Sequence, residues 1–385
     1  MKTTHTEIFL FDTCTHKCSY CHYAESAKVL DNSQLNPYLH MDFIDKISNF
    51  FIKRTNLENN FILYLTGGEP LIMPNFEIFA QNVGSVGNKI AINTALLVNK
   101  NCKQFKFLLT EDSLKIIDYL MISFHPETEK YMNQFIERLK LLKKVGHNLI
   151  LRFVGHPDRF FLLPELDELC RNLDICFYPT PIFTNEYPKK YSLTQKQELS
   201  KYFTSISQHI LLNNGLLTSN LKCNAGSKLI SIDMRSGVIT PCITTKQPIL
   251  GNLYDDIYNP LDIKYCSEPG IGCTCDIHFQ QNIIPGAYDQ HNFNKIKLGY
   301  VNPKDFKVTF PLKLIFSTAK PLIGQTDMPI KFQAIPKEII KEKYKDNKNY
   351  FENSYRKNNH KFFKKRQSNN NSLISKIQTI FSKFF

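Results

Sequence analysis

The amino-terminal residues lack the features of an export signal. No basic segment precedes a long apolar stretch, and the apolar run Ile8–Phe11 is too short for a signal-peptide core or a membrane span. The expected address is therefore the cytoplasm. A reducing compartment argues against disulfides as the use of the eleven cysteines, whose clustered spacings read as metal or cluster ligands. Cys102, Cys170 and Cys176 lie outside both clusters and read as buried small apolar residues. Evenly spread positive charge is also lacking. The formal net charge is +13, yet Lys337–Phe385 alone holds thirteen Lys or Arg against four Asp or Glu. An argument from charge to an anionic partner thus applies to that tail and not to the body. The chain is 42% hydrophobic and 22% charged over 385 residues, values of a globular protein with a large core and more than one structural unit.

Between Glu7 and Pro179, short β-rich runs alternate with segments of helical period. Strands are expected at Glu7–Phe11, Phe61–Leu65, Lys89–Asn93, Leu120–Phe124, Leu149–Val154 and Ile175–Tyr178. Helices fill the gaps. Asp42–Lys53 places Phe43, Ile44, Ile47, Phe50 and Phe51 on one stripe, and Glu129–Val145 repeats the pattern with Phe135, Leu139 and Leu142. This alternation predicts an α/β protein with a parallel sheet, open or rolled into a partial barrel. In barrels of parallel strands the chemistry sits on loops after the carboxyl ends of the strands. Those loops here carry Cys14, Cys18 and Cys21, then Thr66-Gly67-Gly68-Glu69-Pro70, Asn93-Thr94, Ser123-Phe124-His125-Pro126 and Gly155-His156-Pro157.

Cys14, Cys18 and Cys21 have the spacing C-x3-C-x2-C, which puts three thiolates on one tight loop. Three sulfurs can hold three irons of a cubane 4Fe-4S cluster and leave the fourth iron without a protein ligand. The rival is structural zinc, with His16 or His22 completing a Cys3His tetrahedron.

The cysteine loop, with Tyr20 between its last two cysteines, resembles the signature of the radical SAM superfamily, and the Gly67-Gly68-Glu69-Pro70 segment resembles that family's second motif. The resemblance implies a (β/α)6 partial, TIM-like barrel. It implies that the amino and carboxylate groups of S-adenosyl-L-methionine chelate the free iron, and that Gly67, Gly68 and Glu69 contact its amino group. Ser123 stands where many members bind the ribose or carboxylate, and Arg152 and Val154 lie on the strand whose backbone holds adenine. The third strand departs from the frequent Thr-Asn-Gly pattern, reading Asn93-Thr94-Ala95. His125 and His156 each precede a proline at the expected mouth; they read as acid, base or substrate anchors, or as loop hydrogen-bonders.

A second cluster begins with Cys223, thirteen residues, Gly237, four residues and Cys242, and continues with Cys266, Cys273 and Cys275. Leu229–Asp233 and Val238–Thr240 read as a β-hairpin turning at Ser236-Gly237. The arrangement resembles the auxiliary-cluster region of SPASM and twitch radical SAM enzymes. Five thiolates fall short of the two sets of four that a pair of cubane clusters takes, so one auxiliary Fe-S cluster is expected, on Cys223, Cys242 and two of the last three. Structural zinc is again the rival. The expected divisions are a radical SAM core over 1–215, a small cysteine-rich hairpin domain over 216–300, an extension over 301–336 and a basic tail over 337–385.

The resemblance implies an oxidoreductase or maturase-type enzyme. An external reductant such as flavodoxin or ferredoxin would feed it electrons, and its substrate would be drawn from peptides, sugars, nucleosides or small molecules. No peptide-binding domain is evident ahead of the first strand, which argues mildly against the peptide-modifying branch that carries one. The reading from another class is a non-catalytic zinc or Fe-S binding module tethered to a membrane or partner by its tail.

In that tail, Ser372 can cap a helix placing Leu373, Ile374, Ile377, Ile380, Phe381, Phe384 and Phe385 on one face, after a Lys- and Asn-rich segment read as disordered or loosely helical. Such a helix suits an anionic membrane surface or packs on the body or a partner. If it binds membranes, full-length protein should co-sediment with anionic vesicles and a chain ending before Ser372 should not. Equal binding by the two would end the membrane reading.

Overall fold

The computed structural model describes residues 2–262, 264 and 265, apart from residues 17, 19, 22–31, 183–186, 188, 189, 204–207, 209, 210, 213–221 and 244–247. His22, Cys266, Cys273, Cys275, the extension from residue 301 and the basic tail lie outside the described residues.

Strand and helix alternate as the hydrophobic periods predict. The elements are β1 (Lys2–Phe9), α1 (Met41–Ile52), β2 (Asn59–Thr66), α2 (Phe76–Gly84), β3 (Lys89–Thr94), α3 (Lys103–Leu108), α4 (Glu111–Ile116), β4 (Ile117–Phe124), α5 (Met132–Val145), β5 (Leu149–Gly155), α6 (Leu163–Asn172), β6 (Cys176–Phe177), β7 (Thr180–Pro181) and α7 (Leu193–Ser200). Short strands follow: β8 (Lys222–Cys223), β9 (Leu229–Asp233), β10 (Val238–Thr240), β11 (Gly251–Asn252), β12 (Ile257–Tyr258) and β13 (Lys264–Tyr265). The apolar stripes are buried as expected at Ile44, Ile47, Phe50 and Phe51 on α1 and at Phe135, Leu139 and Leu142 on α5, while Phe43 is only half-buried against the core. α5 stops at Gly146, whose φ of 113° forms a left-handed cap that side chains rarely adopt. Among the described residues no helix is long and apolar enough to cross a membrane.

β1 to β6 lie in sequential order and run parallel. The sheet is curled. Tyr64 on β2 and Tyr119 on β4 are two strands apart, ~10 Å in a flat sheet, yet their ring centroids are 6.2 Å apart. Alternation sends Leu63, Leu65, Ile92, Ile122, Leu151 and Phe153 beneath the helices. The concave face carries Tyr64, Ala91, Tyr119 and Ile150, and in the same alternation Asn93, Met121, Ser123 and Arg152. This is the rolled parallel sheet expected of a partial barrel.

Two features depart from expectation. β1 begins at Lys2 rather than Glu7 and ends at Phe9, so Leu10 and Phe11 already belong to the departing loop. Its first half, Thr3–Thr6, is too polar to register as an apolar run, but its backbone pairs with β2 from Lys2 and with β9 from His5. The second feature is the position of the predicted hairpin. β9 lies parallel beside β1, on the side opposite β2, and β10, β11 and β12 continue the same sheet antiparallel.

His5 is buried in β1 and its Nδ1 lies 2.7 Å from Tyr64 Oη. Burial, reinforced by Lys228, lowers its pKa from 6.5 to about 4. The folded protein keeps His5 neutral across that interval while the unfolded chain takes up a proton, so stability should fall as pH drops from 6.5 towards 4. In chemical denaturation, His5→Gln should flatten that pH dependence; an unchanged slope would show that His5 does not cause it.

Candidate functional site

The cysteine loop leaves β1 over the end of β2, and backbone hydrogen bonds seam the two together. Leu10 N–H donates to Thr66 O (3.0 Å), Gly68 N–H to Phe11 O (2.6 Å) and Glu69 N–H to Thr13 O (3.0 Å). Glycine is required at both positions of the seam. Gly67 has φ of +121° and a Cβ there would stand 2.7 Å from Phe11 O, while a Cβ on Gly68 would overlap the Thr13 carbonyl. The sequence predicts these glycines from the approach of a ligand; the structure shows that the protein's own loop approaches them.

Glu69 continues the seam to a third strand. One carboxylate oxygen accepts from Leu71 N–H (3.0 Å) and Thr94 Oγ1 (2.6 Å), the other from Ala95 N–H (2.9 Å). Burial raises its pKa against these three hydrogen bonds, which favour the carboxylate. The departure Asn93-Thr94-Ala95 thus has a local purpose: Thr94 and Ala95 hold Glu69, and Asn93 Oδ1 accepts from Ser123 Oγ at 3.0 Å.

At the mouth, Tyr20 Oη lies 2.7 Å from His125 Nδ1, and the two rings stack at 6.0 Å. Tyr20 also bonds the Cys18 thiol. Its ring stands 6.2 Å from that of His156, although β1 and β5, which carry these loops, would be ~19 Å apart in a flat sheet. The expected convergence of loops on one mouth is therefore present for the first, fourth and fifth strands. His16 joins it, 5.6 Å from His125 ring to ring.

At the mouth, burial favours the neutral forms of the histidines, the tyrosine and the thiols. Burial, with His16 and Arg152, lowers the His125 pKa to about 3, and burial with Lys130 lowers that of His16 to about 4. Burial, opposed by Asp158, also lowers His156. The same desolvation raises the Cys14 thiol to about 11, with Glu69 and Cys21 adding to it, and pushes Cys18 and Tyr20 well up.

Arg152 and Val154 are half-buried on β5, and Arg152 Nε donates to Thr180 Oγ1 at 3.1 Å. Cys223 and Cys242 are buried near the open end of the β9–β10 hairpin, and Cys223 pairs with Lys264 in β13. Cys102 is partly buried, whereas Cys170 and Cys176 are buried, as predicted for cysteines outside the clusters.

The donor set suits an iron-sulfur cluster. Three soft thiols share one loop, and beside them His16 Nε2 is buried with no hydrogen-bond partner among the described residues. Three thiols on one loop match a cubane with an open fourth iron, while His16 beside them is the group that would complete a zinc tetrahedron.

Residues 5–141 match the family described as 4Fe-4S single cluster domain. The matched span contains both motifs of the radical SAM resemblance and supports it. No curated protein matches the chain. Similar solved structures include Streptococcus suis SuiB, at 18% identity with 66% of this chain and 64% of that chain covered and a TM-score of 0.46. SuiB bound to precursor peptide SuiA matches at 16% identity, with 66% and 63% covered and a TM-score of 0.46. Native anSMEcpe with bound AdoMet and Kp18Cys peptide matches at 14% identity, with 66% and 78% covered and a TM-score of 0.47. The chain thus spans less than two thirds of the length of the SuiB structures.

Several site residues were invisible in the sequence as site residues. Asp12 and Gln34 brace the loop root, Asp12 N–H donating to Gln34 Oε1 at 2.7 Å, and neither belongs to a motif. Thr94 was legible as a mouth residue at the end of a strand, but not as a partner of Glu69. The seam generates a test: Gly68→Ala should displace Thr13 and weaken cluster retention about tenfold or more, as outer-shell changes at metal sites do. Iron and labile sulfide per chain after anaerobic reconstitution and desalting measure this; wild-type retention would show that the seam does not set the loop.

Proposed function

We propose that the chain is a radical SAM enzyme, with a 4Fe-4S cluster on Cys14, Cys18 and Cys21 and S-adenosyl-L-methionine at the mouth. The observation that carries this reading is the three-cysteine loop seated by backbone hydrogen bonds on Gly68 and Glu69, within the span matching a 4Fe-4S single cluster domain. Three thiolates leave one cubane corner without a protein ligand. Bound there, cluster and cofactor would supply one-electron reductive cleavage of the sulfonium, the chemistry that begins hydrogen abstraction from a substrate.

The protein's residues hold, orient and shield. The Gly67–Glu69 backbone sets the loop and would contact the cofactor's amino group. Ser123, bonded to Asn93, would bind the ribose or carboxylate, and the backbone at Arg152 and Val154 would hold adenine. His125 and His156 are neutral near pH 7, and Nδ1 of each is already bonded, to Tyr20 Oη and to Asp158 N–H, so each would serve a substrate as a donor or as an acceptor, not as both. The concave face, with Asn93, Ser123 and Arg152 among tyrosines, favours a polar substrate over an apolar one. Cys223, Cys242 and two of Cys266, Cys273 and Cys275 would hold one auxiliary cluster. A flavodoxin or ferredoxin is the class of reductant such a site takes.

Anaerobically reconstituted protein should be brown and, when reduced, should form deoxyadenosine and methionine from S-adenosylmethionine. Cys14→Ala should lower deoxyadenosine to that of a control without protein. Stoichiometric zinc in place of iron, or undiminished cleavage by the variant, would instead favour a non-catalytic metal-binding module.

A further inference from the structure

We infer that Arg235, in the turn of the β9–β10 hairpin, is a positioning residue for the amino-terminal cysteine loop, which it holds through Asp12. The inference rests on the reading of Cys14, Cys18 and Cys21 as cluster ligands.

The register of β9 on β1 brings the turn to the loop. Asp233 stands opposite Phe9, the last residue of β1, and the next residue, Met234, donates its N–H to Phe9 O at 2.9 Å. Arg235 then crosses the Phe9 ring, its guanidinium carbon 4.4 Å from the centroid. Nη1 donates to both oxygens of Asp12, at 3.0 and 3.2 Å. Nε and Nη2 donate to the two oxygens of Asp233, at 2.9 and 2.7 Å. All three guanidinium nitrogens are therefore engaged, and the planar fork cannot turn without breaking several charge-assisted bonds.

Asp12 is the residue on which this matters. Its side chain is 5% exposed, so its charge needs the partners it has. Gln34 Nε2 also donates to it, at 3.3 Å. Two residues later comes Cys14. The root of the cysteine loop is thus gripped on one side by Gly68 and Glu69, which belong to the barrel, and on the other by Arg235, which belongs to the hairpin.

The hairpin turn lies at the carboxyl end of β1, whereas Cys223 and Cys242 lie towards its other end, about 13 Å of strand away. Cys223 and Cys242 therefore sit at the end of the hairpin opposite the turn that meets the amino-terminal cysteine loop. Arg235 gives that hairpin a grip on the first cluster's loop, separate from any electron relay.

The test uses full-length, reconstituted protein with Arg235→Ala, Arg235→Lys, Asp12→Asn and the double variant Arg235→Ala/Asp12→Asn. Two readouts isolate the loop. One is the change that S-adenosylmethionine produces in the EPR spectrum of the reduced protein, which reports on the cluster with the open iron. The other is amide exchange of the Leu10–His16 segment in protein without cluster. Arg235→Ala and Asp12→Asn should each weaken S-adenosylmethionine binding about tenfold, alter the EPR change and speed exchange, and the double variant should be no worse than either. Arg235→Lys, which keeps the charge and loses the fork, should recover only part. If Arg235→Ala fails to fold, the same comparison is read from the two near-isosteric variants. Wild-type EPR change, affinity and exchange in the variants, even with a lowered Tm, would overturn the inference and leave the site reading intact. No EPR response in the wild type would overturn both.

Discussion

The cysteine loop leaves β1 where it does because the two residues facing its root have no side chains. Gly68 donates its N–H to Phe11 O across a gap that a single Cβ would close. From this close approach the rest of the mouth follows. Glu69 donates to Thr13 O, and its carboxylate reaches the end of β3 at Thr94 and Ala95. The carboxyl ends of three strands are thereby tied into one unit. A loop held at its root by backbone bonds has already given up part of the conformational entropy that metal uptake would otherwise cost.

Desolvation sets the electrostatic character of that unit. The same burial that keeps His16 and His125 uncharged keeps the Cys14 and Cys18 thiols protonated in the absence of metal. Thiolate ligation would then release protons, and metal binding would gain strength with rising pH.

The hairpin shows how a region that reads as separate in sequence becomes structurally continuous. Leu229–Asp233 and Val238–Thr240 form the expected strands, with Gly237 in the turn at a φ of 73°. Pairing of β9 with β1 then converts an appended hairpin into an extension of the barrel sheet. β1 becomes an interior strand, which is why its polar first half is as regular as its apolar second half.

Local information was enough for much of this protein. The spacing of Cys14, Cys18 and Cys21 puts three thiols on one loop whatever the rest of the chain does, and the periods of Asp42–Lys53 and Glu129–Val145 specify helices because one face must be buried. Strands with apolar alternation were legible for the same reason, and the polar start of β1 was not. The curl of the sheet and the choice of neighbour for β1 decided everything that depends on meeting across distance. Tyr20 reaches His125 over 105 residues, Thr94 reaches Glu69 over 25, and Arg235 reaches Asp12 over 223. No residue in these pairs carries a local signal of its partner, because each contact exists only once strand order, register and curvature have brought the two loops to the same end of the sheet.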